Sequence, residues 1–110
     1  NKRPVVFGNG TQSRDFVYID DIVEAILRSI ENSFTGIVNL GSGESHTFNE
    51  VVNLINHLLG KNIHPRYVEK PAQYFEHTLA DITKTKNLLG ISPTSLKDGL
   101  KKYLQEREKF

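Results

Sequence analysis

The chain has 110 residues, one domain or part of one, and can bury roughly two thirds of the surface its unfolded form exposes. Its 14 basic and 13 acidic residues are interspersed and leave a net charge of +1, which excludes a broad footprint for nucleic acid or an acidic membrane surface. Cysteine is absent, which excludes disulfides and thiolate metal sites, and no apolar run approaches the ~20 residues that cross a bilayer.

In chain order, Val5-Val6-Phe7 predicts a strand entering a Gly8-Asn9-Gly10 turn, with no preceding element to pair with. Phe16 to Ile19 is aromatic or β-branched and suits a second strand. Asp20 and Asp21 predict the start of a helix to about Asn32, with Ile22, Val23, Ile26, Leu27 and Ile30 on one stripe. Ile37 to Leu40 predicts a short buried strand, closed by Gly41-Ser42-Gly43. Thr47 and Glu50 have the spacing of a capping box, followed by the stripe Val51, Leu54, Ile55, Leu58 and Leu59 and by Gly60 as the stop. Ile63 to Val68 predicts a strand that Pro65 places at an edge or makes irregular. Residues 69–78 have no periodicity and read as a loop. Asp81 predicts the cap of a short helix to Leu89, stopped by Gly90. Ser95 and Asp98 open a last helix with Leu96, Leu100, Tyr103 and Leu104 on its stripe. The class is mixed α/β, with short strands and about four helices.

Few residues carry chemistry. His46, His57, His64 and His77 are scattered without ligand spacing, so no metal site is expected. Gly41-x-Gly43 lacks the third glycine of a dinucleotide loop, because position 46 is His46; a tight structural turn is the expected role. Lys97, Lys101 and Lys102 alternate with Glu106 and Glu108, an ordinary solvated helix face. Arg14 is different. Nothing in a turn-to-strand transition requires a guanidinium, and its planar fork matches a phosphate or a carboxylate.

Four segments carry a resemblance, in order along nearly the whole chain. They are Gly8-Asn9-Gly10-Thr11-Gln12-Ser13-Arg14-Asp15-Phe16-Val17-Tyr18-Ile19-Asp20-Asp21, then Gly36-Ile37-Val38-Asn39-Leu40-Gly41-Ser42-Gly43, then Leu79-Ala80-Asp81-Ile82-Thr83-Lys84, and last Leu88-Leu89-Gly90-Ile91-Ser92-Pro93. Together they resemble the substrate-binding half of the extended short-chain dehydrogenase/reductases, the NAD-dependent nucleotide-sugar epimerases and dehydratases. The fold implied for residues 1–110 is the carboxy-terminal substrate-binding domain of such an enzyme, without its Rossmann NAD-binding half. The family also needs a Tyr-x-x-x-Lys pair. Four residues after Tyr18, Tyr67, Tyr74 and Tyr103 stand Ile22, Pro71, Thr78 and Arg107, so the pair is absent from this sequence.

The resemblance implies a division of labour. NAD, bound by the missing amino-terminal half, removes and returns a hydride at C4 of the sugar, while this chain holds the nucleotide diphosphate. By resemblance Arg14 grips the diphosphate and Phe7 lies against the nucleotide. A second family arginine is replaced in Glu69-Lys70-Pro71-Ala72-Gln73-Tyr74, where Lys70 is the nearest cation and Tyr74 takes part of the contact with ribose or base. The expected site is therefore substrate-binding Arg14, Phe7, Lys70 and Tyr74, with no catalytic, cofactor or metal residue. The implied partners are a UDP-sugar and the Rossmann half of the same protein, in a homodimeric parent; from its charge and the absence of an apolar span or signal pattern the chain is expected to be cytoplasmic and to bind neither nucleic acid nor membrane. A 4-epimerase is the leading reading; a dTDP-glucose 4,6-dehydratase or related reductase, and a non-catalytic nucleotide-sugar binding or interaction module, stay open beside it. A sequence that starts at Asn1, contains no Met and opens in mid-element is expected to be a fragment.

Overall fold

A computed structural model describes residues 2–108. The elements run β1 (Val5–Phe7), β2 (Ser13–Arg14), α1 (Ile19–Glu31), β3 (His46–Thr47), α2 (Phe48–Leu59), β4 (Arg66–Val68), α3 (Thr83–Leu89) and α4 (Leu96–Arg107). They fall into two compact units, one built from residues up to Arg14 together with Ser45–Thr78, the other from Asp15–Glu44 together with the chain from Leu79 onward.

In the first unit β1 lies parallel to β4, with Val5, Val6 and Phe7 opposite Arg66, Tyr67 and Val68. The strand that had no evident neighbour in the sequence thus finds one far along the chain. Only Arg66–Val68 of the expected 63–68 strand pairs. Pro65 has no N–H to give a ladder, so the strand begins just after it. Arg3 secures the approach by donating to His64 O and Pro65 O, both at 2.9 Å. The antiparallel pair β2–β3 sets Ser13 against Thr47 and Arg14 against His46. Helix α2 starts as the spacing predicts: Thr47 Oγ1 accepts from the Glu50 N–H while the Glu50 carboxylate returns to the Thr47 N–H, and Gly60 closes it at φ +63°.

In the second unit the core is small. Ala25, Leu89 and Ile91 are buried, with Phe34 and Leu40 packed against them. Helices α1 and α3 are stitched by Arg28, which donates to Leu89 O and Gly90 O at 2.8 Å, and by Asn32, which donates to Leu88 O at 2.8 Å. These bonds satisfy carbonyls at the end of α3 that have no acceptor role inside the helix. Helix α4 carries its Ser95 cap, accepting from the Asp98 N–H, and buries Gly99 against Tyr18.

Three sequence expectations fail here. Phe16–Ile19 is not a strand, since α1 already begins at Ile19 and residues 15–18 are irregular. Asp20 and Asp21 do not cap α1, whose N-cap is Tyr18 without a side-chain bond; the Asp21 carboxylate instead accepts from the Thr94 N–H at 2.7 Å and hydroxyl at 2.8 Å. Ile37–Leu40 makes no ladder either. Lys84 Nζ and Thr85 Oγ1 donate to the carbonyls of Ile37 and Asn39, and Ile37 is 84% exposed.

The α1 stripe also lacks the expected cover. Val23, Ile26, Leu27 and Ile30 are 48, 48, 58 and 74% exposed, and Ala25 is the buried residue of the helix. A contiguous apolar face of this kind drives association in water. The protein is expected to show a mass that rises with concentration in light scattering and to bind an apolar dye. Leu27→Glu with Ile30→Glu should reverse both at an unchanged melting temperature. A monodisperse monomer without dye binding would remove the prediction.

Candidate functional site

The site begins with a strand end. Phe7 terminates β1 and the chain turns through Gly8–Gly10, so Phe7 stands at the carboxyl end of a parallel strand, the position where α/β folds collect ligands. The Gly8 N–H donates to Val68 O at 2.8 Å and the Asn49 amide donates to Asn9 O at 3.0 Å, which pins the turn to β4 and α2.

The 69–78 loop then brings Tyr74 to Phe7. Their rings meet edge to face, 5.6 Å between centres at 81°. Beside them opens a cleft of about 260 Å³ lined by Phe7, Thr11, Gln12, Lys70, Tyr74 and Glu76. Three of the four expected site residues thus share one cleft. Lys70 is not a free cation there, because its ammonium is bonded to the Glu76 carboxylate. That bond, with added positive potential from His77 and Arg14, holds Glu76 below the ordinary glutamate range against the opposing effect of burial. Both side chains are about half exposed, at 51 and 44%, so the pair is a weak one.

The fourth expected residue, Arg14, is placed differently. It does not line this cleft. Its guanidinium donates to Ser13 O at 2.8 Å, Glu76 O at 3.3 Å and Phe75 O at 2.6 Å. It also lies 5.1 Å from the centre of the Tyr74 ring and 5.6 Å from that of Phe48. In this geometry Arg14 holds the backbone that carries Tyr74 and Glu76. Ser13 continues the clasp: its N–H donates to Glu76 O, its carbonyl accepts from the Thr78 N–H, and its hydroxyl lies 2.7 Å from His77 Nδ1.

Gln12 is the residue that sequence reasoning missed. It is only 2% exposed, and its amide donates to Phe7 O at 2.7 Å and to the Tyr74 hydroxyl oxygen at 3.2 Å. The available signal was a glutamine, with no apolar reason to be buried, two residues before an arginine that invited attention.

The Gly41-Ser42-Gly43 turn was the other candidate for a phosphate. Its donors are already taken. Asp15 Oδ1 accepts from the Ser42 N–H at 2.8 Å and hydroxyl at 2.5 Å, while Oδ2 accepts from the N–H groups of Gly43 at 3.0 Å and Ala80 at 3.2 Å. A Cβ at Gly41 would stand 2.8 Å from both Asp15 Oδ2 and Ala80 Cβ, so glycine is required for this close approach. The residues of this turn do not fit the pyrophosphate of a dinucleotide, whose place a protein carboxylate fills.

A family model described as the NAD-dependent epimerase/dehydratase family matches residues 1–41. Sequence similarity continues far beyond that stretch. A UDP-glucuronate 4-epimerase of Thermodesulfobacterium geofontis is 36% identical over 104 residues, which are 92% of this chain and 32% of that protein. Residues 1–41 thus carry the pattern of the NAD-dependent epimerase/dehydratase family, and the relatives that match nearly the whole chain are nucleotide-sugar enzymes. A UDP-glucuronic acid decarboxylase of Danio rerio is 34% identical over 101 residues, 91% of this chain and 24% of that one. The crystal structure of a UDP-glucose 4-epimerase of Thermotoga maritima with UDP-glucose superposes with a TM-score of 0.87 at 32% identity, covering 97% of this chain and 36% of that one. This chain therefore spans about a third of the length of the epimerases it matches.

Proposed function

We propose that this chain is the substrate-holding part of an NAD-dependent nucleotide-sugar 4-epimerase and that it binds the nucleotide diphosphate of a UDP-sugar. The observation that carries the reading is the cleft at the end of β1, where the rings of Phe7 and Tyr74 meet beside Lys70. Two aromatic rings supply faces and edges for a base, and an ammonium supplies a point charge for phosphate. The epimerases of Thermodesulfobacterium and Thermotoga, named for UDP-sugars, support the choice of nucleotide. Reading a decarboxylase among the relatives, we assign the choice of reaction to the groups around the sugar and the holding of the nucleotide to this cleft. NAD, which supplies hydride chemistry in the family, is assigned to sequence outside this chain, because neither the 41–43 turn nor any Tyr-x-x-x-Lys pair here suits it.

Calorimetric titration tests this directly. Uridine diphosphate should bind saturably and NAD should not, and Tyr74→Ala should weaken uridine diphosphate by roughly tenfold or more, the scale of an aromatic contact together with a hydrogen bond. Glu76→Gln should tighten it about two- to fivefold by releasing Lys70 from a surface pair. Saturable binding of NAD, or no response to uridine diphosphate, would overturn the assignment.

A further inference from the structure

We propose that Gln12 is a positioning residue of this cleft, one that fixes the Tyr74 hydroxyl as a hydrogen-bond donor toward an acceptor oxygen of the bound nucleotide. The inference rests on the nucleotide reading above and adds the polarity of one contact to it.

A primary amide inside a protein is costly unless its hydrogen-bonding groups are paired, and Gln12 is 2% exposed. The amide orientation is settled by its neighbour. Phe7 O is a carbonyl oxygen and can only accept, so the amide atom 2.7 Å from it is the NH2 nitrogen. The same nitrogen faces the Tyr74 hydroxyl oxygen at 3.2 Å. That oxygen must therefore accept from Gln12, and the single hydroxyl hydrogen of Tyr74 turns elsewhere. Tyr74 lines the cleft, and its ring is held in place by Phe7 on one edge and by the Arg14 guanidinium 5.1 Å from its centre. The cleft thereby offers an O–H donor of fixed direction. Such a donor selects ligand atoms that accept, namely phosphate or carbonyl oxygens, and leaves an amine or hydroxyl hydrogen without a partner.

A double-mutant cycle read by titration with uridine diphosphate tests the coupling. Tyr74→Phe should weaken uridine diphosphate roughly five- to twentyfold, the scale of one lost hydrogen bond to the ligand. Gln12→Met, similar in length and without donors, should weaken it by a comparable factor. In the Tyr74→Phe background the Gln12→Met change should have little further effect, because the group it orients is gone. Gln12→Met also leaves Phe7 O without its donor and lowers the melting temperature, so the melting temperature is not the readout. The readout is the disappearance of the affinity effect once the Tyr74 hydroxyl has been removed. An equal loss in both backgrounds would overturn the proposal. So would wild-type affinity in Tyr74→Phe, a variant that deletes one oxygen and leaves every ring contact. No binding by the wild-type protein would remove the nucleotide reading itself, a result distinct from either.

Discussion

Asp15→Ala is expected to lower the unfolding free energy by about 2–4 kcal/mol, read as a fall in the urea midpoint at constant slope. One carboxylate receives three backbone N–H groups and a hydroxyl, from Ser42, Gly43 and Ala80. Truncation leaves those donors facing a hole that Gly41 cannot fill. Asp15→Asn should cost less, about 1–3 kcal/mol, because its oxygen still serves one side while its NH2 opposes the donors on the other. The pH dependence has a definite sign. Burial alone would raise the Asp15 pKa, but the bonds from Ser42, Gly43 and Ala80 outweigh it and the net shift is downward. The folded state thus binds this proton more weakly than the unfolded one. The contribution is present above the ordinary carboxylate pKa of about 4 and is lost as the pH falls through the lowered folded value. Glu50, Glu76 and Asp81 are shifted in the same direction, so wild type and Asp15→Asn must be compared across the acid range. Parallel acid profiles for the two, or a loss below ~0.5 kcal/mol in Asp15→Ala, would show that the clamp is dispensable.

What the sequence made legible follows the range of the forces involved. Helix α2 was readable to the residue because a capping box and a terminal glycine act over three or four positions. The end of α3 at Gly90 and the start of α4 at Ser95 were readable for the same reason. Long-range pairing was not. Nothing in Val5–Phe7 names Arg66–Val68 as its neighbour. Likewise Asp21 has the composition of a cap, yet it reaches Thr94, seventy-three residues away. Ile37–Leu40 has the composition of a buried strand, and its carbonyls go instead to Lys84 and Thr85. In the site, Phe7, Tyr74 and Lys70 were singled out by the family resemblance, and the cleft gathers them. Gln12 was not visible, because a buried amide that orients its neighbours has no pattern of its own in one sequence.

The family resemblance implies that Arg14 anchors the diphosphate, while its geometry makes it the clasp of the 75–76 backbone beside two aromatic rings. Both roles use the planar fork, which lysine lacks. Arg14→Lys is therefore expected to do two measurable things. Affinity for uridine diphosphate should fall by roughly 1.5–3 kcal/mol, about ten- to one-hundred-and-fiftyfold, through the lost charge-assisted contact and the displaced Tyr74. Stability should fall as well, by about 1–2 kcal/mol, because a single ammonium cannot serve the carbonyls of Ser13, Phe75 and Glu76 at once. A purely ligand-facing arginine predicts almost no change in stability; the three carbonyl bonds revise that. The roles separate on ionic strength. An arginine that meets phosphate makes the affinity of the wild type fall more steeply with salt than that of Arg14→Ala, whereas a clasp acting only through Tyr74 leaves the two slopes parallel. Parallel slopes together with a lowered melting temperature would make Arg14 a positioning residue and hand the phosphate to Lys70. A steeper wild-type slope would place the guanidinium on the diphosphate itself, with the loop clasp as the device that aims it.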